Sequence, residues 1–291
     1  MNYLFFYYGE IPKYVGLALN NILNIEKNAE IFLITDQKIN SKYINTLDIS
    51  KTNLLEKLET INDLYTKLNM DFNPLWATSL LRIFALQSLK NYFKIDRFVH
   101  FDTDVLIYKS FEDTLENYRF SESKISITPN DYKSLVFGYS YFPNEDLVDK
   151  LVDLLNKNIS DLDFIKHKYT NGHDVSEMRH LGILNQMYPE LFNLLPILPY
   201  DNHEVVFDPA GYGQYLNGTH VRRGNYIFKR RWISMKHIVG SELKSKRIKL
   251  KFKENPYVVY DKKNVELVNL HIHSKNILKF LPPNQESYIT L

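Results

Sequence analysis

Two carboxylates one residue apart interrupt the most apolar strand-like run of this chain. In RFVHFDTDVLI, residues 97–107, aromatic and β-branched residues lead up to Asp102 and Asp104 and then resume. In an extended backbone, residues i and i+2 point to one side. Asp102 and Asp104 are therefore expected to share one place, where their repulsion needs an offsetting positive charge. A divalent cation supplies it, and oxygen ligands suit Mg²⁺ or Mn²⁺, an ion that phosphates can share. Near the other end, LHIHSK at 270–275 offers His271 and His273 on one side of a strand, a pattern that fits a metal site, followed by Lys275. Arg82 lies in the most apolar part of a predicted helix, where a cation needs anionic partners. The Asp pair, or a phosphate held by it, answers that need.

The elements that must position these groups read as α/β. Residues 3–8 form an apolar-aromatic run closed by Gly9, as in a buried parallel strand. Pro12 opens an amphipathic helix to about residue 25, and residues 30–36 make a second buried strand. Strand, helix and strand define a right-handed βαβ unit. Ligands bind beyond the carboxyl ends of such strands, which here means Tyr7, Tyr8, Gly9, Thr35 and Asp36, with a tyrosine placed to stack on a base. Residues 41–69 read as helical and polar, and Pro74 begins a strong helix.

Beyond the Asp pair come a short helix at 111–118, strands at 124–128 and 135–142, and a helix after Pro143. Gly138 in mid-strand predicts close approach of backbone or ligand. Asp174 and Glu177 favour the positive end of a helix over 175–187. Residues 207–220 gather three of the chain's 10 glycines with polar side chains, and their spacing allows tight turns. Basic residues recur from Arg222 to Lys253, interleaved with Tyr226, Phe228, Trp232 and Ile233, as in strands with one charged face. A single strand is expected over 265–275. The chain reads as one domain over 1–291, with a ligand-binding half at 1–110 and a second half at 111–291.

Composition bounds the function. The 291 residues are 44% hydrophobic and contain no cysteine, which excludes disulfide frameworks and thiolate zinc sites. A net charge of +2 provides no whole-protein field for nucleic acid. The opening residues lack a basic n-region, and no apolar run reaches membrane-spanning length, so a cytoplasmic protein without a transmembrane segment is expected.

Taken together, the aromatic first βα turn, Arg82 before the Asp-x-Asp strand, Asp102-Thr103-Asp104 between apolar flanks, and a late His with a nearby Lys resemble the GT-A glycosyltransferases. The likeness is greatest to the glycogenin and bacterial galactosyltransferase group. That resemblance implies a Rossmann-like mixed sheet flanked by helices, with an acceptor-side C-terminal region. It implies a metal-dependent transferase moving a sugar from a nucleotide-sugar donor, most often UDP-linked, to a glycan, lipid-linked or protein hydroxyl. Asp102 would meet the ribose and metal, Asp104 the metal, and His273 or His271 would complete the site, His273 being preferred as nearer the strand's carboxyl end. Arg82 and Lys275 would steady the diphosphate, with Tyr7, Tyr8 and Asp36 on the donor side. An inverting reaction needs a carboxylate base, for which Glu177 or Asp174 serves. Tyr139, Asp208, Gln214 and His220 are expected at the acceptor. Two alternatives stand beside this: a phosphatase of the haloacid dehalogenase type, and a non-catalytic nucleotide- or sugar-binding protein.

Overall fold

A computed structural model describes residues 1–68, 70, 74–200, 203–218 and 235–289. The chain begins with β1 (Asn2–Tyr7), α1 (Lys13–Ile25), β2 (Glu30–Thr35) and β3 (Ile44–Asp48), then α2 (Leu54–Lys67) and α3 (Pro74–Phe93). The expected βαβ unit is present, with β1 and β2 parallel in register from Asn2↔Glu30 to Tyr7↔Thr35. The helical expectation for 41–69 needs correction, because its first part is β3, parallel to β2. Only Ile44 and Leu47 of that strand are buried, so its sequence carries too little apolar alternation to be read as a strand.

β4 (Phe98–Phe101) and β5 (Val105–Ile107) follow, then α4 (Phe111–Asn117), β6 (Ile125–Asp131) and β7 (Ser134–Phe142). The helices α5 (Asp146–Ser160), α6 (Leu162–Thr170) and α7 (Glu177–Met187) lead to the short strands β8 (Phe192–Leu194) and β9 (Val205–Val206). The final elements are α8 (Gly211–Asn217), α9 (Ile238–Lys244), β10 (Lys249–Phe252), β11 (Pro256–Tyr260), β12 (Lys263–Leu267) and β13 (Asn269–His271). Two single expected strands are each split: 97–107 becomes β4 and β5, and 265–275 becomes β12 and β13. The glycines at 211 and 213 lie in a helix rather than in turns. Arg222, Arg223 and the aromatic residues up to Ile233 lie outside the described residues, and the described part of the basic region starts with α9 before any strand.

Among the described residues the main sheet has the order β3-β2-β1-β4-β7-β6-β8. Its first four strands are parallel, and β7 runs antiparallel to β4 and β6. Alternation along β1 divides the core between the two faces. Leu4 and Phe6 join the cluster under α2, α3, α5 and α7, whereas Tyr3 and Phe5 join the cluster under α1. A four-stranded sheet, β10-β11-β12-β9, covers a third cluster. Near the end of the chain, Asn20 of α1 accepts from the backbone N–H of Tyr288 and Ile289, and Asn24 accepts from that of Glu286. No helix among the described residues is long and apolar enough to cross a membrane.

Candidate metal centre

The carboxyl ends of β1, β2 and β4 share one edge of the main sheet. At that edge the backbone leaves β4 in a turn, closed by the Val105 N–H donating to the Asp102 carbonyl at 3.0 Å. Strand alternation therefore does not bring Asp102 and Asp104 together; the turn does. The turn is fixed on both sides. The Asp102 N–H donates to the Gly138 carbonyl of β7 at 3.3 Å, and the Ile272 N–H donates to the Asp104 carbonyl at 2.8 Å.

β13 brings the third group. It pairs antiparallel with β5, placing Leu270 opposite Leu106 and His271 opposite Val105. Nε2 of His271 then lies 3.1 Å from Oδ1 of Asp104 and 3.4 Å from Oδ2 of Asp102. One ligand atom from each of these three residues lies within 4.8 Å of the others. Two carboxylates and an imidazole, mostly buried, form an oxygen-rich set that suits Mn²⁺ or Mg²⁺.

The imidazole sits in a shaped slot. A Cβ at Gly138 would lie 2.8 Å from Nδ1 of His271, so glycine is what lets β7 pass that ring. On another side the His273 ring lies 4.3 Å away, centroid to centroid, tilted by 33°. The close approach expected at Gly138 is thus to a side chain of this chain itself. Burial, with His271 next, pushes the His273 imidazole down to about 3, which keeps it neutral. His273 does not join the three-residue group.

Two cations flank the centre. Arg82 of α3 contacts Asp102 through Nη1, and its Nη2 donates to both oxygens of Glu177 at 3.0 Å. Its guanidinium also lies over the Phe137 ring, 5.6 Å from the centroid. Lys275 contacts Asp104 through Nζ, which lies 5.3 Å from the centroid of the Tyr14 ring. Burial pushes the Asp104 carboxyl up, but His271, Lys275 and His273 outweigh it and hold the group below the ordinary carboxylate range. Burial raises Glu177 despite the opposing pull of Arg82.

Other expected site residues take different places. Tyr7, Tyr8 and Asp36 lie at the same sheet edge. Tyr7 hydrogen-bonds Tyr14, Tyr8 is exposed, and Asp36 accepts the Gly9 N–H at 2.9 Å. Tyr139 is instead core, 2% exposed and packed on Phe101 and Phe207. Asp208 is fully buried and accepts N–H bonds from Tyr212, Gly213 and His271, tying α8 to β13. Burial encloses Tyr139, and burial together with three accepted N–H bonds encloses Asp208. Gln214 is buried on α8, and His220 lies outside the described residues. Asp174 is partly exposed, 3.8 Å from Lys166. Tyr14 was missed in the sequence; it sits on an ordinary amphipathic helix, and only its place beneath Lys275 distinguishes it.

Fold and site define a mixed α/β protein with an acidic and imidazole centre at the carboxyl edge of its main sheet. No protein-family model matches the chain, and no curated protein is significantly similar to it. Solved structures similar in fold are glycosyltransferases. Mouse xyloside xylosyltransferase 1, in its apo form, is 12% identical over 67% of this chain and 86% of its own, with a TM-score of 0.47. The galactosyltransferase LgtC, in complex with donor and acceptor sugar analogues, is 11% identical over 67% of this chain and 73% of its own, with a TM-score of 0.44.

Proposed function

We propose that this chain is a metal-dependent glycosyltransferase acting on a nucleotide-sugar donor and a hydroxyl acceptor. The observation that carries this is the meeting of Asp102, Asp104 and His271 at the carboxyl edge of the sheet, with Arg82 and Lys275 on their flanks. Carboxylates alone describe a cation site; carboxylates with two adjoining cations describe a site for a cation and an anionic ligand together. A divalent ion bound there supplies Lewis-acid stabilisation of charge on the departing nucleoside diphosphate.

Each side chain then has a role. Asp102, Asp104 and His271 hold the ion, with His271 replacing His273 as the third ligand. Lys275, 34% exposed, offers its ammonium to the diphosphate. Arg82 steadies Asp102 and is itself held by Glu177. Because both Glu177 oxygens are engaged by Arg82, we assign Glu177 to positioning and keep Asp174 as the carboxylate base of an inverting reaction. Tyr7, Tyr8 and Asp36 line the donor side, for which uridine is the expected nucleoside. The phosphatase alternative is less well served, since the Arg82 contact occupies the first carboxylate, which that chemistry uses as a nucleophile.

The test is thermal shift with UDP, GDP and CMP, each with and without Mn²⁺, followed by turnover of UDP-sugars. UDP with Mn²⁺ should raise the midpoint by roughly 5–10 °C at a hundredfold excess over Kd. Asp104→Asn should abolish both that shift and turnover while the apo midpoint holds. Stabilisation by no nucleotide, or phosphate release from p-nitrophenyl phosphate, would overturn the assignment. Binding without turnover would favour the non-catalytic alternative.

A further inference from the structure

We infer that the outer face of the β10–β12 sheet is a docking surface for an anionic phospholipid bilayer. Between 244 and 263 the chain carries eight Lys and Arg residues against two acids, Glu254 and Asp261. With only +2 for the whole chain, the remainder is net negative, so positive charge is concentrated here. All eight basic residues are exposed. Arg247 pairs with Glu242 at 2.8 Å, and among the described residues no ion pair reaches any of the seven lysines.

Strand register places Lys249 and Lys251 on one face, with Glu266 of β12 in the same row as Lys251. Along β10, Lys249 and Lys251 point outward, while Leu250 and Phe252 pack against the third core cluster. Opposite them on β11 stand Val259 and Tyr257, both half-buried. Lysines interspersed with an aliphatic and an aromatic side chain on one face match a bilayer interface, where amphipathic side chains sit at headgroup depth. Nucleic acid fits less well, because its recognition favours the planar fork of arginine over the point charge of lysine.

Charge on an edge strand also discourages pairing with other chains, and β10 is an edge. That purpose covers Lys249 and Lys251 but not two further lysines. Lys246, just past α9, has φ 60°, and Lys262, in the β11–β12 turn, has φ 63°. Left-handed positions after a helix and in a tight hairpin favour glycine or asparagine. Lysine at both is conformationally unfavourable, and neither side chain makes an ion pair that would compensate. Their contribution is charge at the end of the sheet where β10 begins and β11 turns into β12.

The test is co-flotation of the full chain with vesicles of equal parts phosphatidylglycerol and phosphatidylcholine, against vesicles of phosphatidylcholine alone. Binding is expected only to the anionic vesicles and should be lost in high salt. Lys249→Glu with Lys251→Glu should weaken partitioning roughly tenfold or more. Lys150→Glu with Lys157→Glu on α5 removes equal charge elsewhere and should leave partitioning within about twofold of wild type. Lys246→Asn with Lys262→Asn should weaken binding while the thermal midpoint holds or rises, an opposition that a purely structural role would not produce. Absence of wild-type binding, equal binding to neutral vesicles, equal effects of the two charge reversals, or binding to an RNA oligonucleotide but not to vesicles would each overturn the proposal. None of these results depends on the glycosyltransferase assignment.

Discussion

Both carboxylate oxygens of Glu177 accept from a single nitrogen, Nη2 of Arg82, at 3.0 Å, while Nη1 of the same guanidinium contacts Asp102. Arg82 is 14% exposed and Glu177 7%, so the pair works with little solvent screening. Arg82 thereby links α7 to the turn at 102–104 and fixes where the Asp102 carboxylate stands.

Glu177→Gln removes the charge but keeps one acceptor. Leaving a buried guanidinium partly uncompensated should lower stability by roughly 1–3 kcal/mol, read from the urea midpoint. Mn²⁺ affinity, measured by electron paramagnetic resonance, should weaken as well, because Asp102 loses its anchor. The weakening should stay within the roughly 10–100-fold range of an outer-shell partner. A change in turnover with wild-type metal affinity would instead return Glu177 to proton transfer.

Gly138→Ala should act on the metal through His271. The added methyl carbon would lie 2.8 Å from Nδ1 and 3.1 Å from Cε1 of that ring, so the imidazole must move. Overpacking of this kind costs about 1–3 kcal/mol. Mn²⁺ affinity should fall, and the circular dichroism spectrum should remain that of the wild type. Unaltered affinity would place His271 outside the ligand set.

His180 sets an acid limit to stability. It is buried on α7, its Nε2 3.2 Å from the Tyr65 hydroxyl, and burial pushes its imidazole down to about 4. The unfolded chain protonates this residue near 6.5 and the folded chain only near 4, so between those values the unfolded state binds more protons. Stability is therefore full above about pH 6.5 and falls as pH drops through that window, by on the order of 3 kcal/mol from this residue. Urea midpoints at pH 7 and pH 5 should show the loss, and His180→Gln should flatten it.

Much of the frame was legible because its physics is local. β1 and β2 are unbroken apolar runs, and Pro12 marks the entry to α1, so the βαβ unit follows from residue order. The Asp pair was legible as chemistry but not as geometry. Apolar residues on both sides make 97–107 look like one strand, and the backbone turn at 102–104 depends on bonds to Gly138 and Ile272, far away in sequence. Which of the two histidines joins the carboxylates is set by contacts equally remote in sequence. Nearness to a strand end favoured His273, yet β13 ends at His271, whose ring lies beside both carboxylates. Tyr139 and Asp208 have side chains suited to an acceptor, but depth below the surface is not written in residue type.

β5 has β13 as its paired strand, and β13 is made late in the chain. At translation rates of about 5–20 residues per second, on the order of ten to thirty seconds pass between the emergence of Val105 and that of His271. Throughout that interval the two aspartates face each other without their imidazole or the Lys275 ammonium, and one edge of β5 lies bare. A nascent or prematurely ended chain lacking β13 thus carries a recognisable acidic turn but no complete centre. The group is completed in a single late step, when β13 docks against a strand made more than halfway back along the chain.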